Sequence, residues 1–591
     1  MTRIPPVVVA PGEERRNILT VGLEDYFEVA AFRGLINRQH WYRFERSVER
    51  GTRRTLELLD AHGVHATFFV MGWVAEELPE LVRDVAEAGH EVATKGYYHK
   101  NVRRTPPEEF REDLLRSREA IEAAAGRRVL GYRAGDAWLA SQDLWALDIL
   151  AQEGFEYDSS IGLVGRRFAS EPWRRFVHTH TFGDSTLTEF PISAARWLGQ
   201  DVPIAGGNYF RQLPVPLIRY GVAHWMRAYS APFVMYFHTW EMDEEQPRIE
   251  GAPWLQKVRH YRNIPRMPEL IGHFLERYAF TSVAQHQGFS TELRGGRTGA
   301  LPWNEPLPEV SDAIPPLPTE IVSTSRRAVT IVVPCYNEEV VIPYLNNTLE
   351  RVRGSLGEYD LRFVFVDDAS TDRTWESLTT TFGSREDCLV LRQAVNGGPA
   401  RAILAGIRAS RTEVVCSIDC DCSYDPHLLA TMIPLLEEGV DLVTASPYHP
   451  QGGVANVPGW RLFLSRGCSR LYRFVLNERI HTFTACFRVY RRSSVERVEV
   501  ERAGFLGIAE LVGKLSVGGG GIREQPALLE TRVMGRSSMK VVRTVMGHLG
   551  LLTSLAWLRL SRGRAKASTL HGGLTQPIVS ASSDREPTLR T

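Results

Sequence analysis

The chain has 591 residues, 43% hydrophobic and 24% charged, with 70 Lys plus Arg balanced by 70 Asp plus Glu. Balanced charge removes the electrostatic argument for nucleic acid as a partner, and the length exceeds what one core fills, so two domains of roughly 200 to 290 residues are expected. All seven cysteines fall between Cys335 and Cys486, which is no disulfide framework and fits a reducing cytosol.

Residues 1–16 are polar and Pro-rich, without the apolar run of a secretory signal, and read as a disordered tail. Residues 17–294 alternate strand-like runs (Asn17–Gly22, His65–Val70) with helical patterns (Pro79–Ala88, Pro107–Ala124), the signature of a parallel α/β sheet. A Pro-rich stretch, 295–328, loses that periodicity and reads as a linker. The alternation resumes over 329–538, with strands at Val329–Val333 and Leu361–Val366 around a helix starting near Val340. Residues 539–562 carry Lys540, Arg543 and Arg559 around an apolar run that includes His548 and Trp557. That segment is short for a membrane span; it suits a helix lying at an interface, or one packed on its own domain. The Ser/Thr-rich end, 563–591, reads as disordered. His40, His65, His178 and His180 read as ordinary surface or core histidines.

The chemistry-bearing motifs of the second half are acidic turns at strand ends. The apolar run Glu413–Ile418 stops at Asp419-Cys420-Asp421, and Arg362–Val366 runs into Asp367-Asp368. Two carboxylates on alternate residues past a buried strand can hold a hard divalent cation against a diphosphate. Cys420 and Cys422 flank Asp421 but lack the further ligands of a zinc site.

With Ile331-Val332-Val333-Pro334-Cys335-Tyr336-Asn337-Glu338 preceding both turns, this half resembles the inverting family 2 glycosyltransferases, in particular the polyprenyl-phosphate sugar synthases related to dolichol-phosphate mannose synthase. The resemblance implies a Rossmann-like GT-A domain with Mg²⁺ or Mn²⁺ on Asp419 and Asp421. It implies a nucleotide-sugar donor held by Pro334, Tyr336, Glu338, Asp367 and Asp368, and a polyprenyl phosphate or glycan acceptor met by Arg461, Ser465, Arg466, Arg488 and Arg532. It further implies peripheral attachment at the inner, cytoplasmic face of a membrane, in cell-surface polysaccharide or glycolipid synthesis. The chain departs from the family at Pro399, where a lysine is usual and Arg401 stands nearby, at Ser423 in place of an amide, and at Thr482 and Cys486 in place of Asp and Gly.

The first half, through Leu23-Glu24-Asp25-Tyr26-Phe27, Ala66-Thr67-Phe68-Phe69, Gly89-His90-Glu91, Arg133-Ala134 and Phe237-His238-Thr239-Trp240-Glu241, resembles the polysaccharide deacetylases of NodB homology, in the branch linked to exopolysaccharide clusters. The resemblance implies a distorted (β/α) barrel. It makes Glu24 the base, Asp25 and His99 ligands of Zn²⁺ or another divalent metal, Arg133 the residue that orients the base, and His238 the acid. Lys95, however, stands where the first ligand histidine belongs, and a protonated ammonium coordinates no metal. Two readings follow: Lys95 pairs with Asp25 in an inert, carbohydrate-binding scaffold, or the domain works as a metal-dependent N-deacetylase, because burial deprotonates Lys95 or because the metal is held by Asp25, His99 and a further group such as Asp136.

Overall fold

The computed structural model describes residues 15–136, 138–163, 168, 170–197, 200–293, 326–456, 459–535 and 541–571. The expected tails 1–16 and 563–591 and the linker 295–328 fall largely outside them. The chain clusters into two compact units, Met1–Val322 and Ser323–Thr591.

The first unit is built on a nine-stranded, mostly parallel sheet. Its strands are β1 (Asn17–Leu23), β2 (Thr67–Val70), β3 (Glu91–Thr94), β4 (Gly131–Tyr132), β5 (Tyr157–Asp158), β6 (His178–Phe182) and β7 (Ser185–Glu189). A hairpin of β8 (Ala194–Trp197) and β9 (Gln200–Pro203) follows, and β10 (Val234–His238) and β11 (Phe280–Thr281) return to the sheet. The spatial order is β10-β1-β2-β3-β4-β5-β7-β6, with β11 also on β1, so the path of hydrogen bonds does not close on itself among the described residues. β1 pairs with β10, β2 and β11, and all seven of its residues are buried. That burial explains why Ile18–Leu23 is apolar but for Thr20, whose hydroxyl donates to the Met235 carbonyl: a parallel strand covered on both faces has no solvent side to mark with polar residues.

The second unit holds a seven-stranded sheet of β12 (Arg327–Cys335), β13 (Tyr359–Asp367), β14 (Cys388–Arg392), β15 (Val414–Ser417), β16 (Leu442–Ser446), β18 (Arg488–Arg491) and β19 (Ile522–Pro526), while β17 (Gly453–Val454) pairs with β20 (Leu528–Leu529). The order β14-β13-β12-β15-β18-β16-β19 places β12 where the connections diverge, to β13 on one side and β15 on the other. The crevice beyond the carboxyl ends of such strands is where open α/β sheets bind ligands. Four helices matter below: α1 (Pro399–Ala409), α2 (Gly459–Leu476), α3 (Phe505–Val517) and α4 (Val541–His571). α4 buries His548, Leu551, Leu552 and Leu555 within its own unit, and His548 Nδ1 lies 2.9 Å from the Tyr472 hydroxyl of α2. Met546, Leu549, Trp557 and Leu560 remain exposed. Among the described residues, no helix is long and apolar enough to cross a membrane.

Asp158 and Glu189 are fully buried and sit opposite each other on β5 and β7, sharing a hydrogen bond. Burial, and for Glu189 also the neighbouring Asp158, raises both carboxyls. The folded state therefore binds more protons than the unfolded chain above the ordinary carboxylate range, and stability falls as pH rises through that window. In Glu189→Gln the amide carbonyl still accepts from Ile161 N, and the amide N–H supplies Asp158 with a permanent donor. We expect this variant to resemble the wild type near pH 5 and to be more stable near pH 8 by about 1 kcal/mol or more. Thermal unfolding at both pH values, with hydrogen exchange at β5 and β7, checks it; equal pH dependence in the two proteins refutes it.

Candidate functional site

In the second unit a cavity of about 400 Å³ opens beyond the ends of β12, β13 and β15, and is lined by Pro334, Tyr336, Glu338, Asp368, Asp419, Asp421 and Arg532 among others. The strand-end residues converge because β12 pairs with β13 and β15 in register, Cys335 opposite Asp367 and Val332 opposite Ser417, and Arg532 joins them from the loop after β20. Arg532 donates to the Glu338 carboxylate, and its Nε lies 3.6 Å from Asp421 Oδ2. Asp421 Oδ1 accepts from the Ser423 backbone N–H at 3.0 Å and from its hydroxyl at 2.6 Å, so Ser423 props the acidic loop. Burial, with the neighbouring Asp421, pushes Asp419 up to about 7. Burial raises Glu338 to about 7 as well, against the opposing pull of Arg532.

The two members of Asp367-Asp368 do different work. Asp368 Oδ1 and Oδ2 accept from the N–H groups of Gly397 and Gly398, at 2.8 and 2.7 Å. This fastens the Gly-rich turn at the start of α1. Gly398 has φ +81°, and a Cβ there would lie 2.4 Å from the Gly504 nitrogen, so no side chain fits. Asp367 is fully buried, ion-paired with Arg392 at 3.1 Å, and is not among the residues lining the cavity; it accepts from Ser370 N and so props its own turn.

On the acceptor side, Arg488 needs correcting. It is fully buried, and its guanidinium donates to the carbonyls of Ile508 and Phe483 and to the Thr444 hydroxyl, an internal brace out of reach of an acceptor. Ser465 is half-buried and Arg466 exposed on α2, whereas the Arg461 side chain lies outside the described residues. Arg401 donates to the Glu501 carbonyl. Three features escaped the sequence: Cys486, whose thiol bonds Asp419; the Cys335 and Cys420 sulfurs, 3.6 Å apart in the cavity wall; and the turn Ala503–Gly504 into the start of α3, which also lines the cavity. Only the glycine at 504, with φ +67°, could have marked that loop as a turn.

Hard oxygen donors fit Mg²⁺ or Mn²⁺, and Asp419 and Asp421 face one cavity, so these two would hold the ion. Among the described residues no group of three or more His, Cys, Asp or Glu is arranged to hold a metal. Two carboxylates with water and diphosphate oxygens are the usual complement for such an ion.

The first unit gathers a different cluster at the ends of β1, β3 and β10. Lys95 donates to Glu24 Oε2; His99 Nε2 lies 3.0 Å from the same oxygen, and His238 Nε2 lies 3.4 Å from Oε1. Gly22 makes room for the His238 ring, since a Cβ there would meet its Cδ2 at 2.5 Å. Burial by itself raises the Glu24 carboxyl, but Lys95, His238 and His99 outweigh it and hold the group well below the usual range. Lys95 therefore pairs with Glu24, correcting the expected Asp25 partner. Asp25 instead accepts from Tyr26 N, Ser47 N, the Ser47 hydroxyl and Val48 N, turning it to the start of the helix Val48–Ala61. Asp136 pairs with Arg33 and Asn101. Arg133 donates to Thr20 and Ser159 and stacks on Phe69, so it braces the sheet and does not orient Glu24. This donor set does not fit a catalytic zinc ion: an ammonium occupies the centre, and the expected acidic ligand is spent elsewhere.

Family models match three stretches: polysaccharide deacetylase at residues 38–145, a domain of unknown function (DUF3473) at 159–287, and glycosyl transferase family 2 at 330–499. The chain is 28% identical over 216 residues to a dolichol-phosphate mannosyltransferase of Pyrococcus furiosus, covering 36% of this chain and 59% of that protein. It is 29% identical over 230 residues to a polyprenol monophosphomannose synthase of Mycolicibacterium smegmatis, covering 38% and 84%. A Mycobacterium smegmatis crystal structure assigned to the polysaccharide deacetylases superposes with a TM-score of 0.33 at 21% identity, covering 50% of this chain and 98% of that one. The chain thus carries, in series, an N-terminal stretch that matches the polysaccharide deacetylase family model and a C-terminal stretch that matches glycosyl transferase family 2.

Proposed function

We propose that the C-terminal unit transfers a sugar from a nucleotide diphosphate donor to polyprenyl phosphate by a single inverting displacement, at the inner face of a membrane. The observation that carries this reading is the meeting of Tyr336, Glu338, Asp419, Asp421 and Arg532 around one cavity at the sheet's switch point. Tyr336 offers a partly exposed ring to cover the base. The amino end of α1, opening at Pro399, places its positive dipole end at the cavity wall, where a diphosphate is favoured. When bound by Asp419 and Asp421, Mg²⁺ or Mn²⁺ supplies neutralisation of the charge that builds on the departing diphosphate. Arg532, already held at the acids by Glu338, is positioned to pair with the same oxygens. Glu338 is engaged by Arg532, and Asp419 and Asp421 are assigned to the cation, so none of these three carboxylates is left as a base. This favours an acceptor that is already ionised, as a phosphomonoester is. The exposed stripe of α4, which includes Trp557, suits the membrane interface.

For the first unit we propose a glycan-binding scaffold without hydrolysis. Its support is the buried Lys95–Glu24 pair, which gives the site internally the charge balance that a metal would otherwise provide.

Two outcomes are expected. Asp421→Ala loses sugar transfer to membrane lipid by about 100-fold or more, measured with radiolabelled nucleotide sugars and a membrane fraction; undiminished transfer overturns the cation assignment. The wild-type chain purifies without stoichiometric zinc in its first unit and releases no acetate from N-acetylated oligosaccharides, whereas Lys95→His takes up zinc. Stoichiometric zinc with turnover in the wild type refutes the scaffold.

A further inference from the structure

Two thiols meet in the wall of the donor cavity, where the proposed transfer gives them no part. The Cys335 and Cys420 sulfurs lie 3.6 Å apart, and both residues line that cavity. Their meeting follows from the sheet: β12 and β15 pair in register as far as Val332 opposite Ser417, and each strand continues to a cysteine three residues further on. Neighbouring strands run about 4.8 Å apart, inside the span of roughly 4.4 to 6.8 Å between Cα atoms that a disulfide bridges. All seven cysteines are free, and the other two near the acidic turn are engaged elsewhere. The Cys422 thiol donates to the Cys420 carbonyl at 3.9 Å, and that of Cys486 bonds Asp419.

The neighbours of this pair are the residues that the cavity depends on. Cys420 stands between Asp419 and Asp421, and Cys335 between Pro334 and Tyr336. The acidic turn is tight: Cys422 N donates to the Asp419 carbonyl at 3.0 Å, and the Ser423 hydroxyl holds Asp421 at 2.6 Å. Cys422 itself has φ +51°, a left-handed conformation uncommon in a residue with a side chain. A sulfur–sulfur bond is about 2.05 Å long, so closing it draws the two sulfurs together by about 1.5 Å. Close-packed interiors transmit such a shift, here to the carboxylates on either side of Cys420. Both thiols are buried, at 1% and 4% exposure, so a small oxidant reaches them through the cavity. Contact with Cys335, together with burial, raises the Cys420 thiol, which therefore rests protonated and reacts slowly.

We propose that Cys335 and Cys420 are a dithiol–disulfide couple, and that its oxidation by hydrogen peroxide displaces the acidic turn and switches cation binding off. The O–O bond of the peroxide breaks as one thiol sulfur takes an OH group to become a sulfenic acid, and the thiol proton leaves with the other OH as water. The second thiol then attacks that sulfur: the S–S bond forms, the S–O bond breaks, and the OH leaves with the second thiol proton as another water. Two electrons pass from the sulfurs to the peroxide, and a dithiol reductant restores them by exchange. The couple rests on the geometry of the two thiols; its effect on sugar transfer rests on the transferase reading.

The test uses the full chain, reduced with dithiothreitol, freed of it, and treated with hydrogen peroxide until the thiol content is constant. Mass spectrometry of the digest is expected to find Cys335 and Cys420 in one cross-linked pair of peptides. Hydrogen exchange is expected to change over Asp419–Ser423, and sugar transfer to fall by about tenfold or more, with all three effects reversed by dithiothreitol. Each variant is compared with its own reduced state: Cys335→Ala loses the cross-link and the reversible response, and Cys420→Ala replaces it if it misfolds. No cross-link in the wild type, a cross-link between other cysteines, or a loss of transfer that dithiothreitol does not restore overturns the couple. A cross-link that leaves exchange over the turn or transfer unchanged overturns the switch, as does an equal reversible loss in a folded Cys335→Ala. Cross-linking and exchange are read without donor or cation, so they decide the couple even in a chain that transfers no sugar when reduced; the transferase reading stands or falls on Asp421→Ala.

Discussion

Each unit is organised by the same electrostatic constraint: a carboxylate buried at the carboxyl end of a parallel strand must meet a positive charge or hydrogen-bond donors inside the protein. Removing an ion from water costs several kcal/mol unless a partner and hydrogen bonds replace the solvent. At the end of β1 the partner of Glu24 is Lys95, reinforced by His99 and His238. Beyond β12 and β15, Glu338 and Asp421 share Arg532, and Asp419 is left with a thiol and a raised affinity for protons.

The two solutions differ in what they leave open. Lys95 is buried, and it reaches Glu24 from the strand end next to β2, so displacing it would bury an unpaired ammonium. Arg532 comes from a loop after β20 and lines an open cavity, with 21% of its side chain exposed. A site closed by a short internal lysine favours retention of shape over chemistry, and a site closed by a long guanidinium at a cavity wall favours exchange with an anionic ligand.

Much of the fold was legible because parallel sheets covered on both faces announce themselves. Asn17–Leu23 and Tyr359–Asp367 extend the expected strands by a residue or two, and Pro107–Ala125 matches the expected helix to within one. The acidic turns were legible because polar residues directly after a buried apolar run have nowhere to go but the strand end. Side-chain direction was not. Asp25 follows Glu24 by one residue, yet the backbone turns it to the start of a helix while Glu24 faces the cluster. Arg488 follows a motif that ordinarily faces substrate, but it starts a central strand and is spent on carbonyls.

The sequence alone determined that two α/β domains stand in series, that one carries acidic strand ends suited to a cation and diphosphate, and that the other has a lysine in place of a metal-binding histidine. The first two follow from residue type and periodicity, which are local properties, and the third from the resemblance to the polysaccharide deacetylases. Only the tertiary structure decided which charges neutralise which: Lys95 chooses Glu24 over Asp25, and Arg532 reaches back 194 positions to Glu338. Pairing depends on distances between segments far apart in the chain, and strand register and helix packing set those distances.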